Sequence, residues 1–187
     1  MTKPRKVLLI ATAALLLGTA AHAGSQTTLP PLAELIPKGN QGNAVAQFAL
    51  GVKYYYGEGA PQDYAEAMKW YRKAADQGEV RSQYNVGLMY EKGQSVPQDY
   101  AEAVRWYRKA ADQGDTTAEF MVGFSYIRGK GVPTDFVQAH MWLSLVAASD
   151  GENQQVAAQQ RDALATMMSR AQIAEAERLT REWKPNK

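Results

Sequence analysis

The segment QDYAEAMKWYRKAADQG at 62–78 returns at 98–114 as QDYAEAVRWYRKAADQG, changed only at Met68 against Val104 and Lys69 against Arg105. The offset is thirty-six residues, and a third, more divergent copy follows at the same period. The copies run 42–77, 78–113 and 114–149. Gly51, Gly87 and Gly123 fall in register, as do Tyr54, Tyr90 and Tyr126, and Pro61, Pro97 and Pro133. So do Asp63, Asp99 and Asp135, and Trp70, Trp106 and Trp142. A fixed period of this size marks a stacked repeat architecture, in which one unit cannot bury its apolar face and its neighbours must complete the core.

Each copy reads as two helices. In the second, Asp63 caps the start and Glu66, three residues on, predicts a capping box; Asp99 with Glu102 and Asp135 with Gln138 repeat the device. Ala67, Trp70, Tyr71 and Ala74 then share one face at i, i+3, i+4, i+7, and Gly78 and Gly114 suit a left-handed stop. The first helix spans about 43–56, with Gln47, Leu50, Gly51 and Tyr54 on one face. A glycine inside a helix costs about 1 kcal/mol against alanine, so the recurrence of Gly51 predicts a close approach by another helix backbone. The short connection GEGAPQ makes the two helices antiparallel neighbours. In the third copy KWYRKAAD becomes MWLSLVAA, so the outward positions of Lys69, Arg72, Lys73 and Asp76 are taken by Met141, Ser144, Leu145 and Ala148. A helix apolar all round must be covered. The segment 150–187 supplies two helical stretches for this, the second opened by Ser169 and Gln172, and these are expected to cap the array.

The pattern A-x-x-x-(L/V)-G-x-x-Y-x-x-G-x-G-V-P-x-D-x-x-x-A-x-x-W-x-x-x-A-A resembles the Sel-one-like repeat (SLR) family, a relative of the tetratricopeptide helical repeats. The resemblance covers residues 42–149. It implies an all-α fold, a right-handed α-solenoid of antiparallel helix pairs, and adaptors that bind other proteins; many bacterial members are exported. Some cysteine-rich relatives are linked to β-lactam binding or hydrolysis, but this chain has no cysteine.

The ends set the expected location. Lys3, Arg5 and Lys6 precede the eleven-residue apolar run Val7–Leu17 and then Ala21-His22-Ala23, which predicts a secretory signal peptide at 1–23. The run is shorter than the roughly 20 residues that span a bilayer. Cleavage before Gly24 leaves no integral membrane segment and gives a periplasmic or secreted protein. It also removes three basic residues and no acid, so the formal charge of +2 becomes about −1. Such a balance offers no footprint for nucleic acid. Segment 24–41 is expected to be mobile, apart from a helical turn near Leu32 to Ile36.

Catalytic chemistry finds little to use. His140 is the one histidine left after cleavage, which excludes a histidine-rich metal site within the chain, and no metal or cofactor is expected. GFSYIRGKG misses the phosphate-loop spacing, and no serine opens an S-x-x-K box. An alternative role in cell-wall or β-lactam hydrolysis would use a carboxylate such as Glu119, at the inward position of Gln47 and Gln83.

A partner site is instead expected where copies differ on a fixed frame. On the first helices, the positions opposite Gly51 are Val45, Ala49, Lys53 and Tyr56, then Arg81, Asn85, Met89 and Lys92, then Thr117, Met121, Ser125 and Arg128. The family resemblance implies that first helices line the concave side. These twelve would then form a mixed groove for a peptide or helix of another protein, an envelope protein by the expected location.

Overall fold

The computed structural model describes residues 29–185. The chain divides at Pro30–Pro31, and all but Leu29 and Pro30 of the first unit lies outside the described residues, as does the expected signal peptide. In the second unit the described residues form helices only: α1 Leu32–Asn40, α2 Ala44–Tyr56, α3 Tyr64–Asp76, α4 Val80–Lys92, α5 Tyr100–Ala111, α6 Thr116–Arg128, α7 Phe136–Ala147, α8 Gln154–Ala165 and α9 Arg170–Glu182. The repeats are the hairpins α2–α3, α4–α5 and α6–α7, and each hairpin packs on the next.

Local chemistry sets the ends of these helices. Asn43, Glu79 and Asp115 accept the third backbone N–H of α2, α4 and α6. Asp63, Asp99 and Asp135 each accept two backbone N–H groups at the start of α3, α5 and α7, which satisfies donors that the helix leaves open. The expected capping boxes are half present. Glu66 and Glu102 turn outward to pair with Lys69 and Arg105 rather than back to the cap, and Ser169 with Gln172 forms the complete box. Gly57, Gly93 and Gly129 close the first helices in the left-handed region, and the Asp63, Asp99 and Asp135 N–H groups donate back to the carbonyls of Tyr54, Tyr90 and Tyr126. The same hairpin is thus built three times.

The tryptophans join one hairpin to the next. Trp106 packs with Ala67, Tyr71 and Ala75 of the preceding repeat, and Trp142 with Ala103, Tyr107 and Ala111. Trp70 finds its counterpart in α1, because a Cβ on Gly39 would lie 3.1 Å from its ring. Gly39, Ala75 and Ala111 are thirty-six residues apart, so α1 occupies the place of a second helix in an incomplete leading repeat. The helical turn expected near Leu32 to Ile36 is thus a longer, packed helix, and residues 24–28 of the expected mobile segment lie outside the described residues. α1 is nine residues long, buries Leu35 and Gly39 and packs on α2. Its ending Asn40-Gln41-Gly42 matches the Asp-Gln-Gly at 76–78 and 112–114, and Gly42 shares their positive φ.

The repeated helical glycines face a tyrosine ring first, and at Gly87 the backbone oxygen of Ala103 also comes within 3.0 Å of where a Cβ would lie. A Cβ on Gly51 would fall 2.4 Å from the Tyr71 ring, and one on Gly87 2.7 Å from Tyr107. In the third repeat Leu143 replaces the tyrosine and the approach relaxes to 3.3 Å at Gly123. At the other end α8 and α9 each pack on α7. They bring Ala157, Leu179 and Trp183 against its apolar sides, with Trp183 edge-on to Trp142 at 5.7 Å.

Two stability measurements follow from this packing. Trp106→Ala is expected to cost about 3–5 kcal/mol in chemical denaturation; a loss below about 1 kcal/mol would remove it from the core. Gly51→Ala should lose about 1–3 kcal/mol through overpacking. Gly123→Ala should stay near neutral, since the helix gains about 1 kcal/mol of propensity there. Equal effects at the two sites would contradict the ring-contact account.

Candidate functional site

The first helices α2, α4 and α6 carry the variable positions, and the structure sorts the twelve expected groove residues. Val45 is 64% and Tyr56 57% exposed. Arg81, Lys92 and Arg128 are exposed, while Asn85, Thr117, Met121 and Ser125 are half-buried. Ala49, Lys53 and Met89 are buried, which corrects their assignment to a binding face. The cause is helical geometry. Successive steps of four residues drift about 40° each around a helix of 3.6 residues per turn. The run from 45 to 49 to 53 therefore leaves the free face and enters the packing. Met89 lies with Tyr55, Val86 and Trp106 in the core between the first and second repeats, so Met89→Ala would damage the fold rather than probe a groove.

The stripe that stays partly accessible follows steps of three, four and four. It runs Val45, Phe48, Val52, Tyr56 on α2, then Arg81, Tyr84, Leu88, Lys92 on α4, then Thr117, Phe120, Phe124, Arg128 on α6. Phe48, Val52, Tyr84, Leu88 and Phe124 are half-buried, Phe120 is buried, and none of these six was on the expected list. Their signal was present in the sequence as a pair of apolar residues four apart in each first helix, at 48 and 52, 84 and 88, and 120 and 124. Ring contacts anchor the stripe to the core. Phe48 lies 6.0 Å from Tyr71, Tyr84 5.6 Å from Tyr107, and Phe124 4.6 Å from Phe120. The Arg81 guanidinium stands 4.0 Å over Phe48 and that of Arg128 5.1 Å over Phe124.

The second helices present a different surface. Lys69 pairs with Glu66 at 3.0 Å, Arg72 with Asp76 at 3.4 Å and Arg108 with Asp112 at 3.2 Å, and Arg105 pairs with Glu102. Cations also cover the tryptophan faces. Arg72 and Lys109 lie 4.6 and 3.7 Å from Trp106, and Arg108 lies 4.8 Å from Trp142. Most cations of this face are paired with acids of the same helix, and Lys73 lies 4.4 Å over the Trp70 ring.

The two groups singled out for catalytic potential, His140 and Glu119, are both buried. His140 is buried on α7, and burial, then Arg161, lowers its pKa. The Ser144 hydroxyl donates to the His140 carbonyl at 2.7 Å. Among the described residues no cluster of three His, Cys, Asp or Glu side chains could hold a metal.

Glu119 breaks a polar ladder. Gln47 Nε2 donates to the Gly39 carbonyl at 2.9 Å and Gln77 Nε2 donates to Gln47 Oε1 at 2.6 Å. Gln83 repeats this with the Ala75 carbonyl at 3.3 Å and Gln113 at 2.8 Å. The third repeat has Glu119 and Ser149 in these places, and Ser149 donates to the Val146 carbonyl instead. Glu119 is 3% exposed. Burial, with Asp115 adding to it, raises its pKa to about 7. A carboxyl raised in the folded state binds its proton more tightly there than in the unfolded chain. Its contribution is therefore complete below the ordinary carboxylate range and is lost as pH rises through about 7. Glu119→Gln should remove this loss. It is expected to be more stable than the parent by about 1–3 kcal/mol at pH 8 and to lose that advantage near pH 4. Parallel pH profiles for the two proteins in urea denaturation would contradict this.

The repeats agree with known proteins. A family model of the Sel1 repeat matches residues 44–79, 80–115 and 116–150. Among solved structures, a Sel1 repeat protein from Oxalobacter formigenes is 35% identical with a TM-score of 0.64, covering 71% of this chain and 97% of that one. A protective antigen of uropathogenic Escherichia coli displaying an SLR fold is 26% identical with a TM-score of 0.59. That match covers 80% of this chain and 39% of the antigen. A comparison with curated proteins returns no match. With three repeats matched over more than half its length and their hairpins stacked in order, the chain belongs to the Sel1 repeat family.

Proposed function

We propose that this chain is an exported adaptor without catalytic activity, and that it binds a segment of another protein along the outward stripe of α2, α4 and α6. The observation that carries the reading is the contrast between the two rows of helices. The second helices pair four of their cations with their own acids and lay Lys73 and Lys109 on tryptophan rings, whereas the first helices leave rings and aliphatic side chains half-exposed across three repeats. An accessible apolar stripe edged by polar groups suits a peptide or helix. Export rests on the order Lys3, Arg5, Lys6, then Val7–Leu17, then Ala21-His22-Ala23, and an exported adaptor would meet an envelope protein. Hydrolysis is the weaker reading, because its candidate acid Glu119 is buried where the other repeats hold a structural glutamine.

Two experiments test the proposal. A photo-crosslinking residue placed at Tyr56 should form a discrete protein adduct in cells, and one placed at Lys69 should not. Equal labelling at both positions would count against the stripe. The N-terminus of the protein recovered from the envelope fraction should be Gly24. An uncleaved chain confined to the cytoplasm would end the export reading.

A further inference from the structure

The stripe also states what charge its partner carries. Within the first helices and their caps, the acids are committed internally. α2 contains no acidic residue. Glu79 caps α4 through the Ser82 N–H at 2.6 Å and holds Arg81 at 2.8 Å. Glu91 accepts the Tyr107 hydroxyl at 2.6 Å. Asp115 caps α6 through the Ala118 N–H at 2.8 Å, and Glu119 is buried. The cations are committed differently. Lys92 Nζ reaches the Tyr55 hydroxyl at 3.4 Å, and Arg128 rests over the Phe124 ring. Among the described residues neither has a carboxylate within ion-pair distance. On the second helices Lys69, Arg72, Arg105 and Arg108 each have one, while Lys73 and Lys109 rest over the Trp70 and Trp106 rings away from the stripe.

Lys92 and Arg128 are thirty-six residues apart, so they hold the same place in the last turns of α4 and α6. Tyr56 holds that place in α2. The free stripe is therefore an apolar floor with two unpaired cations in register along one edge. Resting a guanidinium on a ring costs little water and leaves its N–H groups open to an acceptor. Two such charges in line would steer and fix the register of a negatively charged chain.

We infer that the occupant is a segment of another protein that carries Asp or Glu side chains beside apolar ones. Its carboxylates are held by Lys92 and Arg128, and its apolar side chains lie on Val52, Leu88 and Phe124. This rests on the adaptor reading above and adds the chemistry of the partner. A second copy of this chain meets the requirement less well, since the outward carboxylates of α3 and α5 are already paired with their own cations.

The test is selection of short random peptides displayed against the immobilised protein. The recovered sequences should be enriched in Asp or Glu next to Phe, Leu or Trp. The Lys92→Gln, Arg128→Gln double variant, with unchanged helical circular dichroism, should bind the best peptide at least about tenfold more weakly. Changing the peptide's acids to amides should cause a similar loss in the parent and little further loss in the double variant. Peptides without acidic enrichment that still depend on Tyr56 would overturn the carboxylate preference and leave the adaptor reading standing. Failure to recover any selective peptide would overturn both. A self-association that vanishes in the double variant would make the occupant a second copy and overturn this inference.

Discussion

Every joint in this molecule depends on an indole ring pressed against a small residue of the preceding unit. Trp70 meets Gly39, Trp106 packs with Ala75, and Trp142 packs with Ala111. A larger side chain at the small position would hold the hairpins apart, and a smaller one at the tryptophan would leave a cavity between them. Because the contact crosses from one repeat to the next, the stability of each hairpin belongs partly to its neighbour. The same logic governs the ends. α1 supplies the small residue that Trp70 needs. The position thirty-six residues beyond Trp142 is the exposed Arg178, so the series stops there. Trp183 then seals Trp142 from α9.

This stacking separates two surfaces with different chemistry. The second helices carry the tryptophans and cover them with cations that have acids one turn away. The first helices carry the glycine contacts to Tyr71 and Tyr107, and the stripe beside them touches the same rings through Phe48 and Tyr84. Since the hairpin frame is set by caps, glycines and tryptophans, the stripe can vary from copy to copy without disturbing it. Val45, Arg81 and Thr117 share one register position, as do Tyr56, Lys92 and Arg128. A frame that repeats while its face does not is the arrangement a binding surface requires.

Much of this was legible in the sequence because the period exposes it. Three copies of glycine, proline, aspartate and tryptophan at fixed offsets place six helices and their pairing. What the sequence concealed follows from packing. The glycine row predicts a close neighbour but does not say whether it is a backbone or a ring; Leu143 opposite Gly123, where Tyr71 and Tyr107 stand in the other copies, is the clue. Lys53 and Met89 look outward on a four-residue count, yet α2 and α4 are packed on more than one side and their free faces are narrow. The helix α1 has weak local signals, with Pro37 inside it and no side-chain cap. Its register match at Asn40-Gln41-Gly42 was the readable trace. Glu119 was recognisable as an odd residue in a glutamine row, but the row's hydrogen bonds appear only when Gly39 and Ala75 are brought beside it.

The claim that tryptophans couple adjacent hairpins is tested most directly by native-state hydrogen exchange on Trp106→Ala. If the ring is the joint, protection should fall in α3 of the preceding repeat as well as in α5, where the substitution lies. Loss confined to the α4–α5 hairpin, with α3 as protected as in the parent, would contradict the account.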